Sequence, residues 1–390
     1  MNTAHSLVEM PSGFEGAEKI LHIKIASAQP NSGLRMIPRL TWERILSAAK
    51  CTILSQCDSW DCTAFVLSES SLFVFDNYCI FKTCGRTLLL QALPMMLDLL
   101  RGQGLQLEYM LYSSKDYLFP DEQFYPHGNW EDSEAFLRSF FPYERSTTLG
   151  LPSGDHVFLF SSSPVYACAS DFCSSGSQWV DLPLAGADAA SPAARLIADE
   201  FSETCSGLII PGSPVSTQQP VFCEGGLEGG FFNMMMYDMR PEVAAQFFND
   251  GAKTAESVTQ ESGIGALYPG SRVDAYLFEP CGYSMNGLAA DGFYTIHITP
   301  EASCSYASFE TNIYSSNYVE LVERVLAIFQ PSRFSLTFCF HKDMVLGDKS
   351  PLRAEGFKGK KPGCFYACTG SWAKKKEDCL YSLGNYVLRV

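Results

Sequence analysis

No run of about 18 consecutive apolar residues occurs in the 390-residue chain, so no membrane-crossing helix is expected. The opening residues, MNTAHSLVEMPSGFEG, lack a basic segment followed by an apolar one, which argues against a secretory leader. There are 15 cysteines but no CxxC, and the count is odd. Close pairs such as Cys168/Cys173 and Cys364/Cys368 have no clustered histidines nearby, so neither a metal site nor a disulfide framework is expected. Free thiols in a reducing cytoplasm are the expected state. Positive charge is scarce as well, with 28 Lys and Arg against 43 Asp and Glu and a net charge of −15. That balance argues against nucleic acid and against anionic membrane surfaces as partners. An acidic surface by itself names no partner.

What the chain does have is apolar and aromatic side chains. Apolar residues make up 46%, charged residues only 18%, and aromatics 13%, mostly Phe and Tyr, so a large core rich in strands is expected. Strands are expected at 20–26, 62–68, 72–84, 105–112 and 156–161, with Asp76-Asn77 as a two-residue turn. Helices are expected at 42–49, 87–100 and 130–141. From Ser161 to Gly230 the chain is rich in Ser, Gly, Pro and Ala and reads as a connector. The earlier pattern then returns, with strands at 231–239, 273–280, 292–299, 305–311 and 334–340. Helices follow at 241–249, with Pro241 in first position, and at 318–329. Each half gives strands, a hairpin and helices, which suggests a duplicated α+β unit (about 14–165 and 231–345) within one domain, 1–345. The Gly- and Lys-rich residues 346–390 read as a solvated C-terminal segment.

Few residues suggest chemistry by themselves. Cys84 precedes Gly85 and a helix, where a thiol can have a lowered pKa. His297 alternates with Ile on a strand and, from pattern alone, is a structural histidine. Ser284 stands in EPCGYSMNG, where one Pro and two Gly mark turns, so it reads as a local hydrogen-bonder. Pairing Cys84 with His297 as a cysteine hydrolase finds no supporting motif and no orienting acid. The stretch Leu67–Val74, LSESSLFV, is harder to place, because three hydroxyls and a carboxylate interrupt an apolar run. A Ser after a Glu can attack the preceding carbonyl when the backbone is strained, given an oxyanion donor and a base. From the bare residues Glu69-Ser70 remains indistinguishable from an ordinary dipeptide.

Taken together, LSESSLFV, KTCG, FEPCGYSMNG, TIHITPE and SYASFETN resemble the eukaryotic S-adenosylmethionine decarboxylase proenzymes. FEGAEK, PHGN and ESGIGALYPGS fit as well, in order, across roughly Phe14 to Phe340. The resemblance implies a four-layer αββα sandwich of two antiparallel sheets related by duplication. It implies self-cleavage between Glu69 and Ser70, giving a β chain 1–69 and an α chain of 390 − 69 = 321 residues that starts with a pyruvoyl group made from Ser70. That ketone would form a Schiff base with S-adenosylmethionine and accept electrons as CO₂ leaves. The product would be the aminopropyl donor for spermidine and spermine synthesis. Family roles carry over to Cys84 as proton donor and to Ser284 and His297 in processing. They carry over to Phe14 and Phe278 as adenine-stacking rings, to Glu301 at the ribose, to Leu67 and Glu69 as substrate contacts, and to Glu15 and Glu18 in support. No metal is implied.

Some family members are activated by putrescine held by buried acids. Here those positions fall on Asn233, Gly229 and His22; only Glu310 clearly remains, with Lys82 nearby. A dication needs carboxylates to offset its desolvation, so putrescine activation is not expected, and a protonated His22 could stand in for part of it. A different class of function, an inactive paralogue that regulates an active partner, would be expected to lack the Glu-Ser step, Cys84 or His297; all are present.

Overall fold

The computed structural model describes residues 13–26, 33–142, 144, 146–162, 180–182, 230–290, 292–341, 356–360, 364–376 and 379–389. Residues 1–12 and all of the connector but its two ends and 180–182 lie outside that description. So do Cys168, Cys173 and Gly229.

The first sheet contains β1 (Lys19–Ile25), β2 (Ile53–Asp58), β3 (Cys62–Leu67), β4 (Ser70–Phe75), β5 (Tyr78–Thr83), β6 (Leu107–Lys115), β7 (Ser146–Gly150) and β8 (His156–Ser162). The second contains β9 (Val180–Leu182), β10 (Phe231–Met239), β11 (Arg272–Leu277), β12 (Tyr283–Ala289), β13 (Gly292–Thr299), β14 (Tyr306–Thr311), β15 (Pro331–His341), β16 (Gly356–Lys358), β17 (Phe365–Lys376) and β18 (Cys379–Arg389). Strand orders are β2-β3-β4-β5-β1-β6-β8-β7 and β11-β12-β13-β14-β10-β15-β18-β17-β16, with β9 beside β17. The two orders correspond strand for strand through their first eight members, so the duplication read from the sequence holds at the level of topology. The pairings are antiparallel throughout, as the short turns between successive strands allow.

Alternation decides what each face carries. On β1, Leu21, Ile23 and Ile25 join a core shared with Trp42, Ile45 and Leu46 of α1 (Arg39–Ala48) and Met96 and Leu100 of α2 (Leu93–Gly102). Leu137 of α3 (Trp130–Arg138) belongs to the same core, and Asn129 caps that helix by accepting from Asp132 N at 2.7 Å. On β10, Phe232, Met234 and Met236 pack with Val243 of the single-turn α4 (Pro241–Ala244), Val258 of α5 (Ala255–Glu261) and Leu321, Val325 and Phe329 of α6 (Tyr318–Phe329). Residues of opposite parity meet in a third core to which both sheets contribute, including Ile20, Phe73, Phe231 and Phe293. Phe73 and Phe293 stack across it with ring centroids 4.1 Å apart.

Three expectations need correction. The C-terminal segment is no solvated tail: β18 lies between β15 and β17, and β17–β18 repeat the β7–β8 hairpin of the first half. Its strand pattern was hidden by a register shift between Cys368 and Gly370. Tyr366 and Cys368 face the outer core before that bulge, and odd-numbered Ala373 does so after it, so the period of two is broken. Second, the stretch read as turns around Ser284 is strand β12. Gly287 is there for contact rather than for bending, since a Cβ at that point would sit 2.1 Å from the Tyr294 ring. Third, the helix expected over 87–100 begins as a 3₁₀ turn, Leu89–Ala92, and becomes α-helical only at Leu93, with Pro94 in its first turn, where a missing N–H costs little.

Leu383 on β18 is 1% exposed, whereas Trp60 is 78% exposed. Leu383→Ala should therefore lower stability by about 2–5 kcal/mol in urea unfolding. Trp60→Ala should stay within about 0.5 kcal/mol. A silent Leu383→Ala would return the C-terminal segment to the solvent.

Candidate active site

Where the third core meets the sheet ends it becomes polar. Inward-facing positions there carry Ser71 (β4), Lys82 (β5), Ser284 and Asn286 (β12), Thr295 and His297 (β13) and Ser308 and Glu310 (β14), all buried. Lys82 donates to Glu18 Oε2 and to Glu310 Oε2, both at 2.9 Å, and so bridges the two sheets. Burial pulls the Lys82 ammonium toward neutrality, but the two carboxylates outweigh it, and its pKa lies above the ordinary lysine value. Glu18 also accepts from Ser308 Oγ at 2.7 Å, yet burial leaves its carboxyl raised.

Ser70 opens β4 directly after the Ser68-Glu69 turn. Its φ is +124°, a region that L-residues rarely occupy, so strain sits at the Glu69–Ser70 junction. Ser70 is 1% exposed, and its Oγ has no hydrogen-bond partner. The carbonyl of Glu69, the one a Ser70 hydroxyl would attack, accepts from Cys84 N at 3.2 Å and from Cys84 Sγ at 3.6 Å. The register that pairs Ser70 with Thr83 brings the Cys84 turn to this spot. One residue on, Ser71 crosses to the other sheet. Its Oγ donates to Asn286 Oδ1 at 2.6 Å and lies 3.2 Å from His297 Nε2. On the far side of the imidazole, His297 Nδ1 is 2.9 Å from Ser284 Oγ, because β12 and β13 pair Ser284 with His297.

The lowered pKa that a position before a helix could give Cys84 is not found. Burial, then the neighbouring Glu69 and Glu18, raise the Cys84 thiol well above its ordinary value, so it is a protonated donor. The short 3₁₀ turn that follows exerts too little dipole to reverse this. His297 is held neutral, first by burial and then by Lys82. Burial likewise raises the Glu69 carboxyl to about 7 despite Lys19. Glu15 accepts from the backbone of Ala17 at 3.1 Å and of Phe119 at 2.8 Å, and its own carbonyl receives Gly85 N. A Cβ on Gly85 would stand 2.8 Å from the Phe14 ring and 2.9 Å from Glu69 Oε2, so Phe14 lies over the same turn.

The remaining candidates stand as follows. Phe278 is half-buried beside Gly282, edge to face with Tyr276 at 4.8 Å. Glu301 is half-buried; its charge adds to the burial that raises Cys281 to about 11. Leu67 faces away into the outer core and borders Ser70 only through the backbone. His22, expected as a protonated substitute for an activator, is fully buried against Phe231; burial and then Lys82 lower its pKa to about 3. It is neutral. Asn233 lies opposite Glu310 in the β10–β14 register.

The adenosylmethionine decarboxylase family model matches residues 11–181 and 227–386. The chain belongs to that family. An S-adenosylmethionine decarboxylase proenzyme from Xenopus laevis is 35% identical over 332 residues, covering 83% of this chain and 82% of the relative. One from Dictyostelium discoideum is 33% identical over 347 residues, covering 86% and 77%. The crystal structure of a Trypanosoma brucei AdoMetDC-delta26 monomer is similar in fold, with a TM-score of 0.52, 23% identity, and coverage of 82% of this chain and 99% of that one. Within this decarboxylase fold, sequence reading overlooked Ser71, Asn286 and Thr295. Asn286-Gly287 has the composition of a turn, and only the strand pairing shows that its side chain points inward.

Lys82→Met would leave Glu18 and Glu310 buried without their cation. It should destabilise the protein by about 3–5 kcal/mol, read by chemical unfolding. Adding Glu310→Gln should recover part of that loss; no recovery would separate the two residues energetically.

Proposed function

We propose that this protein is a self-processing, pyruvoyl-dependent decarboxylase that converts S-adenosylmethionine to its decarboxylated form, with Ser70 as the precursor of the pyruvoyl group. The observation that carries the reading is the Glu69–Ser70 junction. A strained serine with an unpartnered, buried hydroxyl follows a carbonyl already hydrogen-bonded by Cys84 N–H. Family membership supports the same conclusion. The three cores, two of them sharing helical residues and one shared by both sheets, support the four-layer αββα arrangement.

Processing follows from these groups. Ser70 Oγ attacks the Glu69 carbonyl carbon, and the oxyanion forms where Cys84 N–H already points. Collapse breaks the C–N bond, the hydroxyl proton passing to the departing Ser70 nitrogen, and leaves an ester between Glu69 and Ser70. Neutral His297, held by Ser284, takes the Ser70 α-hydrogen. The Cα–H electrons form a double bond as the Cβ–O bond breaks, releasing Glu69 as the carboxyl end of the β chain. Loss of ammonia through hydrolysis then leaves the ketone. The enclosed position of Ser70 suits such a group, whose carbonyl condenses with an amine and draws electrons from the adjacent bond. Cys84, protonated at neutral pH by burial beside Glu69 and Glu18, holds the proton for the carbon that CO₂ leaves. Phe14 and Phe278 supply faces for the adenine, and Glu301 a carboxylate for the ribose hydroxyls.

Purified protein should therefore run as two chains, 1–69 and 70–390, without added protease, while Ser70→Ala stays whole. Cys84→Ala should still cut, yet lose about 100-fold or more in decarboxylation. A wild-type chain that stays whole would favour the inactive-paralogue reading, and full turnover in Cys84→Ala would remove its role as donor.

The cavity between the sheets speaks against a diamine activator. Its lining includes Glu18, Asn233, Phe231 and Lys115; Glu18, the one carboxylate of that lining, is already paired with Lys82, and Lys115 is paired with Asp116 and Asp155. Millimolar putrescine at matched ionic strength should change kcat by no more than about twofold, which is about 0.4 kcal/mol of coupling. A severalfold stimulation would refute this.

A further inference from the structure

Around His297, counting hydroxyl protons decides what distances alone leave open. Ser71 Oγ donates its single proton to Asn286 Oδ1 at 2.6 Å, an O–H···O separation, and the amide nitrogen on the other side is left buried without a partner. Toward His297 Nε2, at 3.2 Å, Ser71 can then offer only a lone pair. Thr295 Oγ1 lies 2.9 Å from the Met285 carbonyl and 3.0 Å from Asn286 Oδ1, two groups that accept and never donate. Its proton must go to one of them. Thr295 therefore also presents a lone pair to His297 Nε2, at 2.9 Å. Two oxygens with no proton to spare converge on Nε2, so Nε2 must carry the hydrogen.

We infer that Asn286 is a positioning residue that sets the proton of His297 on Nε2 and leaves Nδ1, facing Ser284, as the basic atom. The inference rests on the reading of His297 as the base of self-cleavage. Asn286 is fully buried, and its place opposite Thr295 in the β12–β13 register lets one amide oxygen collect both hydroxyls. The neutral state of the ring means that one nitrogen, and only one, is protonated. With Nε2 occupied, Ser284 Oγ at 2.9 Å donates to Nδ1. When the base acts, Nδ1 gains the proton and Nε2 keeps its own, still held by Ser71 and Thr295. Lys82 is the charge that acts on the ring, and it opposes double protonation.

Histidine ¹⁵N NMR on Ser70→Ala protein, which keeps the chain whole, tests this without altering the cluster. His297 is assigned by the signals lost in a His297→Asn companion, among six histidines. The expected result is a pyridine-like Nδ1 and a pyrrole-like Nε2, unchanged between about pH 6 and about pH 8. An Nδ1–H tautomer or an imidazolium would overturn the inference. With Asn286→Leu, Ser71 regains a proton to offer Nε2 while Thr295 still donates to the Met285 carbonyl, so the single Nε2–H form should give way to a mixture of tautomers, and self-cleavage of the otherwise native chain should slow about tenfold or more, with ester accumulating. Asn286→Asp, which keeps the acceptor, should restore the Nε2–H signal and most of the rate. Unchanged tautomer and rate in Asn286→Leu would refute the positioning role. An uncut native chain whose His297 still carries Nε2–H would count against the processing reading while supporting the tautomer assignment.

Discussion

The buried bridge of Lys82 between Glu18 and Glu310 is the interaction on which the arrangement depends. Glu18 and Lys82 come from the first half of the chain and Glu310 from the second, so the bridge sets the register of one sheet against the other. Burying three charged groups is expensive, and their mutual attraction repays it only when geometry and additional hydrogen bonds are good. Ser308 supplies one such bond to Glu18. Its ammonium is also an electrostatic source, and after burial Lys82 helps hold His297 neutral.

That neutrality connects the bridge to the chemistry. A protonated imidazole could not serve as a base, and an ionised Cys84 could not serve as an acid. Both groups are kept in the state that their proposed roles need mainly by exclusion of water, with charged neighbours of suitable sign adding to it. The strain at Ser70 belongs to the same design. A positive φ costs of order 1–3 kcal/mol and persists because β3, β5 and the Cys84 turn fix the residue on both sides. The apolar remainder of the inter-sheet core, with Phe73 against Phe293, supplies the rigidity.

Much of this was legible beforehand, unevenly. Strands buried on both faces, such as Phe231–Met239 and Gly292–Thr299, match the structure residue for residue, because one face enters an outer core and the other the inter-sheet core and the run is apolar or buried nearly throughout. The edge strands β2 and β7 went unseen, since they are short and partly exposed and their alternation carries little apolar contrast. The β17–β18 hairpin was hidden by its bulge. Ser70, Cys84, Ser284 and His297 were reached through resemblance, not through physics. Local pattern alone made Ser284 a turn residue, whereas it lies in a strand, and allowed Cys84 a lowered pKa, whereas burial raises it.

The sequence by itself determined the acidic, apolar composition, the duplicated order of most strands, and the residue types that the chemistry needs. Alternation is local, so one chain segment suffices to show it. Only the tertiary structure decided which polar residues meet, because Ser71 and His297 are 226 positions apart and joined by packing of two sheets. It also decided protonation. The state of Cys84, His22 and His297 depends on how much water and which charges surround each group, and no stretch of neighbouring residues contains that information.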